Sequence, residues 1–264
     1  MKISFVTPTY NRANLVCETV DSILTVLDFY SNIEIIIVDD ASQDNTLEVL
    51  NKNYEYQIGA GLIRVFELSR NRGVTGAKNY GAKVARGEWI VFLDSDDLLV
   101  KENFLDMLDL IRNNQNYDAI FVSCCDFNNN IIGESFTSKL LDLNEYLKVG
   151  MYGEKLPIIK RSVTEEFPYH EDLRGFEGLT YLQMLIANKS LYLSDLVCRK
   201  YRIDNNDRLS NFKGRVKRSK LMYLGFLRTS VLLYGYSHKI SFKLFLKAFY
   251  YGTLFVFNRL GFFR

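Results

Sequence analysis

The feature that most limits how this chain can fold is an alternation that runs through its first 125 residues. The segments "KISFVTP", "IEIIIVDD", "LIRVFELS", "EWIVFLDSDD" and "AIFVSCCDF" are short, nearly continuous apolar runs and read as strands. Between them lie stretches with helical spacing. "NRANLVCETVDSILTVL" puts Leu15, Val16, Val20, Ile23, Leu24 and Leu27 on one side, "QDNTLEVLNKNY" is a capped helix, "VTGAKNYGAKVARG" closes on a glycine, and "KENFLDMLDLIRNN" follows. Strands that are apolar on both faces need cover on both faces. The predicted fold is therefore α/β, a mostly parallel central sheet with helices on either side. In the third of these helices, Gly76, Ala77, Gly81, Ala82 and Ala85 form a small-residue stripe suited to close packing on the sheet. Beyond about residue 130 the alternation breaks down, and 142–205 is predicted as short helices mixed with loops, built onto the same sheet.

Ligands of such sheets bind outside the carboxyl ends of the strands. Three strand ends here are polar: "TPTYNR", "VDDAS" and "LDSDD". Asp94, Ser95 and Asp96 form a D-x-D where a strand becomes a loop. Carboxylates so close repel one another unless a cation lies between them. A divalent metal held by one or two carboxylates, with diphosphate and water completing its shell, satisfies that need. The plain alternative is a polar turn in which Asp97 caps the next helix. Asp39 and Asp40 offer one acceptor for a base edge or a ribose and one for an Asx turn. Asn71, in "NRG", precedes a helix N-terminus suited to an anion or else lies in an ordinary turn, and Lys78 on that helix is placed either to reach a phosphate or to stay in solvent.

Charge divides the chain. From Arg208 to Arg264 there are 12 Lys or Arg and no acid, which leaves 21 basic against 31 acidic residues in 1–207. An acidic body with a basic tail suggests an anionic partner for the tail. The tail is as aromatic as it is basic, which favours a membrane surface over nucleic acid. From His238 to Leu260 the spacing is helical, with Lys239, Lys243, Lys247 and Asn258 on one stripe. Phe242, Phe245, Phe249, Phe255, Val256 and Leu260 lie on the opposite face. Its longest uncharged run is too short to span a bilayer, so an interfacial helix is expected. The competing uses of that face are packing on the protein's own core or on a second subunit as a homodimer. The four cysteines (Cys17, Cys124, Cys125, Cys198) include no C-x-x-C pair, which argues against a zinc knuckle. With no signal-like segment at the start, the body is expected to be cytoplasmic.

The set "TPTYNR", "IIIVDDASQDNT" and "NRGVTGAKNYGAKVARGEWIVFLDSDD", in this order and spacing, resembles glycosyltransferase family 2, the inverting enzymes of GT-A fold. The resemblance is strong over roughly residues 1–110. It implies a nucleotide-sugar donor, usually a UDP-sugar, and a Mn2+ or Mg2+ cofactor. It implies that Asp40 contacts the nucleobase, Asp94 lies near the ribose and Asp96 binds the metal, with Pro8, Thr9, Tyr10 and Arg12 walling the nucleotide pocket. Further on, "YHEDLRGFEGLTYLQML" is similar to the family's acidic pair before a helix. That match puts Glu177 on the first acid and Gly178 where many members carry an aspartate base. Glu177 is then the expected base, with Glu171 and Asp172 as alternatives. "RKYRIDNNDRLS" at 199–210 resembles the segment that follows, with arginines that could approach the diphosphate.

The implied organisation is a GT-A domain over 1–207, with a nucleotide-sugar half (1–125) and an acceptor half (126–207), followed by a helical membrane-association region (208–264). The implied activity is inverting transfer of a hexosyl or N-acetylhexosaminyl group to a glycan or polyprenyl-diphosphate-linked acceptor in bacterial surface-polysaccharide assembly. The enzyme would then sit peripherally on the cytoplasmic face of the inner membrane. Two other readings compete: a nucleotide-sugar binding module with impaired catalysis, suggested by Gly178, and a metal-dependent nucleotidyltransferase, disfavoured because "TPTYNR" is not a Gly- and Arg-rich loop.

Overall fold

The computed structural model describes residues 1–203, 216, 218–238 and 242–260. Its centre is one nine-stranded sheet. The first half alternates as the apolar runs require: β1 (Ile3–Thr9), α1 (Ala13–Leu24), β2 (Ile33–Asp39), α2 (Thr46–Asn53), α3 (Glu55–Gly59), β3 (Ile63–Glu67), α4 (Gly73–Val84), β4 (Trp89–Phe92). There follow β5 (Leu98–Leu99), α5 (Phe104–Asn113), β6 (Ala119–Cys125), β7 (Lys139–Leu140), α6 (Leu143–Val149), β8 (Lys155–Lys160), α7 (Arg161–Glu166), α8 (Gly178–Ile186) and β9 (Leu191–Lys200). Two further helices close the described chain, α9 (Ser219–Ser237) and α10 (Phe242–Arg259).

Every residue of β1, β2 and β6 is buried, which is why these strands read as nearly continuous apolar runs. Alternate residues serve two cores. Ile3, Phe5, Ile35 and Ile37 pack with Val16, Val20 and Ile23 of α1 and with Phe104, Met107 and Ile111 of α5. Val6, Ile36 and Val38 pack on the other face with Ala77 and Ala82 of α4 and with Tyr181, Met184 and Leu185 of α8. The small-residue stripe of α4 acts largely as expected. A Cβ at Gly81 would lie 2.4 Å from Val6 Cγ1, so only glycine lets the helix sit this close to the sheet. Gly76 is different, because a Cβ there would meet Arg72 and Glu171 and not the sheet.

The sheet is mixed, where a mostly parallel one was expected. The order is β3-β2-β1-β4-β8-β6-β9-β5, with β7 also on β9. β3, β2, β1 and β4 are parallel, whereas β8 lies antiparallel to both β4 and β6. β6 and β9 are parallel to each other. The expectation of short helices and loops over 142–205 is thus corrected by two buried strands. Pro157 disguises β8, since proline argues against a central strand. The ladder to β4 stops at Ile158, so Pro157 pairs with β6 alone, opposite Phe121. β9 is disguised by Ser194 and Asp195, beside which its register on β6 shifts.

The tail is a helical hairpin packed on the body. Tyr251 of α10 stacks on Phe226 of α9 at 5.7 Å, and Lys247 Nζ sits 5.2 Å from the same ring. The predicted helix over 238–260 therefore begins later, because His238 takes a left-handed φ of 55° that ends α9. Lys239, the side chains of Phe242 and Lys243, residues 204–210 and the expected boundary at 207/208 lie outside the described residues. No helix among the described residues is long and apolar enough to cross a membrane.

Candidate active site

Parallel β1, β2 and β4 all end on one edge of the sheet. β6 lies antiparallel to β8, as β4 does, and β9 is parallel to β6, so both bring their own ends to that edge. The acidic loop after β4 sits there with a cation facing each aspartate. Lys78 Nζ lies 2.9 Å from Asp94 Oδ1. The contact is a close ion pair. Burial opposes ionisation of Asp94, yet Lys78, Arg199 and Arg12 hold its carboxyl below the ordinary range. Burial likewise opposes the charge on Lys78, but Asp94 and then Glu177 outweigh it and push the ammonium up. Lys78 is therefore the buried partner of Asp94 and not a solvated helix residue.

Arg12 Nη1 lies 2.7 Å from Asp96 Oδ2. Ser95 between the two acids is buried. Asp97 does not cap the next helix. It is buried, faces Arg199 Nη1 at 3.4 Å and accepts the Arg202 backbone N–H at 3.0 Å. Burial pushes its carboxyl up to about 7. Arg202 also donates from Nε to the Asp96 carbonyl at 3.1 Å and from Nη2 to Glu18 at 2.6 Å. Arg199 and Arg202, at the end of β9, thus hold the acidic loop from behind. Asp97 was not weighed as a site residue, since its arginine partner comes from a strand that local sequence hid.

At the ends of β1 and β2 the loops are tied together. Asn11, at φ 52°, donates its N–H to Ser42 Oγ, and its side chain accepts from Gln43 N–H. Arg12 N–H bonds Thr46 Oγ1. Pro8 and Thr9 are buried in β1, and Tyr10 is exposed beyond it. The Thr9 hydroxyl is buried without a hydrogen-bond partner among the described residues. Asp39 accepts from the N–H and hydroxyl of Ser42 at 2.8 and 2.5 Å, the Asx turn weighed for one member of the pair. Asp40 accepts the N–H groups of Arg72 and Gly73 at 2.6 and 2.7 Å. The anion at the N-terminus of α4 is thus the chain's own Asp40. Burial pushes the Asp40 carboxyl up, against the pull of those two donors. Asn71 is exposed and its side chain accepts from Gly73 N–H at 3.2 Å.

The three candidate bases are sorted by their partners. Glu171 is held by Arg72 through Nη2 and Nε, at 2.5 and 3.1 Å. Asp172 is held by both terminal nitrogens of Arg228, at 3.0 and 2.5 Å, and those bonds keep its carboxyl below the ordinary range. Glu177 opens α8, half-buried, with no hydrogen bond or ion pair of its side chain among the described residues. It lies near enough to Lys78, Tyr169 and Tyr181 to perturb all three. Gly178 has a local reason as well. Its carbonyl accepts the Tyr146 hydroxyl at 2.7 Å, and a Cβ would approach that oxygen to 2.8 Å.

The donor set also bears on a metal. Among the described residues no three His, Cys, Asp or Glu side chains converge to form a cage. Mg2+ and Mn2+ do not need one, since they take one or two carboxylates and complete their shell with water and phosphate. Asp96, with Asp94 beside it, fits that requirement.

In an α/β sheet the carboxyl edge, where these carboxylates and cations gather, is where ligands bind. The model of glycosyl transferase family 2 matches residues 4–167, and the chain belongs to that family. It is 29% identical over 240 residues to the GalNAc(5)-diNAcBac-PP-undecaprenol beta-1,3-glucosyltransferase of Campylobacter jejuni, covering 88% of this chain and 74% of that protein. It is 26% identical over 227 residues to the UDP-Glc:alpha-D-GlcNAc-diphosphoundecaprenol beta-1,3-glucosyltransferase WfgD of Escherichia coli, covering 82% and 83%. Residues 1–349 of S. aureus TarS in complex with UDP-GlcNAc superpose with a TM-score of 0.68 at 23% identity, over 86% of this chain and 66% of that one. The fold is GT-A, as the sequence implied, and the chain is a glycosyltransferase.

Proposed function

We propose that the protein transfers a hexosyl or N-acetylhexosaminyl group, with inversion, from a UDP-sugar to a hydroxyl of a polyprenyl-diphosphate-linked glycan in bacterial surface-polysaccharide assembly. It would work peripherally on the cytoplasmic face of the inner membrane. The family supports the reaction, and the names of the Campylobacter and Escherichia relatives support the acceptor.

The observation that carries the mechanism is the sorting of the acids in 171–177: two are committed to arginines, and Glu177 has no such partner among the described residues and lies near enough to Lys78 to raise its pKa. Glu177 accepts the proton of the acceptor hydroxyl, which attacks the anomeric carbon from the side opposite the leaving diphosphate. One such displacement inverts the centre, through an oxocarbenium-like transition state. Asp96, aided by Asp94, would hold Mn2+ or Mg2+, which when bound offsets charge on the departing diphosphate. Lys78 keeps Asp94 ionised, and Arg12 holds Asp96 in place. Asp40 anchors the start of α4 beside the strand ends, where Pro8, Thr9, Tyr10, Asp39 and Asn71 frame the nucleotide.

The test is a panel of nucleotide sugars with Mn2+ or Mg2+, scored for release of nucleoside diphosphate with and without a polyprenyl-diphosphate-linked acceptor. Acceptor-dependent release from a UDP-sugar supports the reading. Donor binding with no release under any condition favours the binding module instead.

A further inference from the structure

The hairpin of α9 and α10 shows its apolar side to the outside. Phe245, Phe249, Val256 and Leu260 are each more than half exposed, and at 100° per residue they form one stripe along α10. On α9, Leu227, Val231 and Tyr234 are exposed at spacings of four and three. The side of α10 that meets α9 carries Lys247, Tyr251 and Gly252, the last against the Tyr223 ring. Ala248 and Leu254 of α10 are buried, so the exposed stripe is apolar surface beyond what the helix needs to pack on its own protein. Exposed apolar surface of this kind marks an interaction site.

We propose that this face seats on an anionic lipid surface and, through α9, fixes the loop that carries Glu177. The proposal rests on the peripheral, lipid-linked reading given above and names the surface that serves it. The charge selects the occupant. Residues 208–264 carry 12 cations and no acid, whereas 1–207 carries a net charge of −10 from 21 basic and 31 acidic residues. A lipid headgroup layer attracts the first and repels the second, which orients the molecule. A second copy would set one basic tail against another, at a cost. No described helix can span the bilayer, so the hairpin lies in the interface.

The link to the site is direct. Arg228 of α9 holds Asp172 with two hydrogen bonds, and Arg218 donates to the Arg174 carbonyl at 2.8 Å. Gly225 allows the Phe176 ring to lie on α9, where a Cβ would come within 2.8 Å of it, and Phe226 meets that ring edge-on at 5.3 Å. Three points of α9 thus grip residues 172–176, next to Glu177. A hairpin seated on lipid holds the base loop at a set height above the surface from which a lipid-linked acceptor projects.

The full chain should co-sediment with vesicles of phosphatidylglycerol and phosphatidylcholine, more weakly at high salt and far less with phosphatidylcholine alone. Phe249→Glu and Val256→Glu alter exposed positions and should lower that partition at least about tenfold, with transfer to a soluble acceptor unchanged. Wild-type binding that ignores headgroup charge, or variants that bind like wild type, would overturn the lipid assignment. A wild-type dimer in sedimentation velocity that these variants dissolve would assign the face to a second copy. For the grip, Arg228→Gln should keep vesicle binding yet lose the vesicle-dependent rise in kcat on a lipid-linked acceptor, while KM for the donor stays the same. A rise equal to wild type would overturn it. Sedimentation needs no turnover, so an enzyme that transfers nothing would sink the proposed reaction and leave this result standing.

Discussion

Lys78 and Asp94 face each other at 2.9 Å beneath the acidic loop, and Lys78 is the more deeply buried of the two. Removing one partner strands the charge of the other in a poorly solvated place. Lys78→Met should cost about 3 kcal/mol of stability in urea unfolding. The double variant with Asp94→Asn should recover much of that loss, and full additivity would refute the coupling.

The same pair predicts a pH dependence. The Asp94 carboxyl lies below its ordinary value, so its contribution is present above the unfolded pKa of about 3.9 and is lost as pH falls through the folded value. The Lys78 ammonium lies above its ordinary value, so its contribution is present below about 10.4 and is lost as pH rises through the folded value. Between those limits the pair's contribution should be flat. Unfolding free energies of wild type and Lys78→Met measured across pH should converge at both extremes.

Glu177→Gln keeps shape and removes the proton acceptor. Turnover should fall on the order of 10²–10⁴-fold with donor affinity nearly kept. Glu171→Gln should instead weaken the Arg72 contact, with little loss of turnover because that pair is exposed. If the two variants exchange these phenotypes, Glu171 is the base.

Asp96→Ala should abolish transfer, and chelation of wild type should do the same; full activity in chelator would remove the metal from the mechanism. Asp40→Ala leaves the N–H groups of Arg72 and Gly73 without their acceptor, at about 1–3 kcal/mol, beyond any loss of donor binding. Asp39→Ala, which frees only Ser42, should do less to activity.

Gly81→Ala forces a methyl against Val6 and Val38, and should cost about 1–3 kcal/mol by thermal unfolding. Gly59→Ala meets nothing within 4 Å and serves as the control, at worst neutral.

What could be read in advance follows from how local the signal was. β1, β2, β4 and β6 announce themselves because strands buried on both faces are dominated by apolar residues, the few polar ones such as Ser4 and Glu34 being paired with each other. The acidic loop was legible since it follows such a strand directly. β8 was not, for Pro157 carries the mark of a loop and its pairing with Phe121 is a tertiary fact. The partners of Asp97 and Asp40 were hidden for the same reason. Arg199 lies on the disguised β9, and the N–H donors of Arg72 and Gly73 are backbone groups that no side-chain pattern reveals. The tail's apolar face was legible from spacing; the stacking of Tyr251 on Phe226, which packs α10 on α9, was not.

The place of β8 in the sheet sets an order on synthesis. β4 and β6 never touch, and the strand that joins them is made after both. While Lys155–Lys160 is still inside the ribosome, the emerged chain holds two apolar strands with open edges and no native neighbour to close them. Such edges are templates for another chain. The gap between β4 and β6 closes only when one short segment with a proline at its centre slides between them. A slow step in refolding and a concentration-dependent loss of yield should therefore both trace to the arrival of β8, and neither to the pairing of β1, β2 and β3, which forms from strands already adjacent in time.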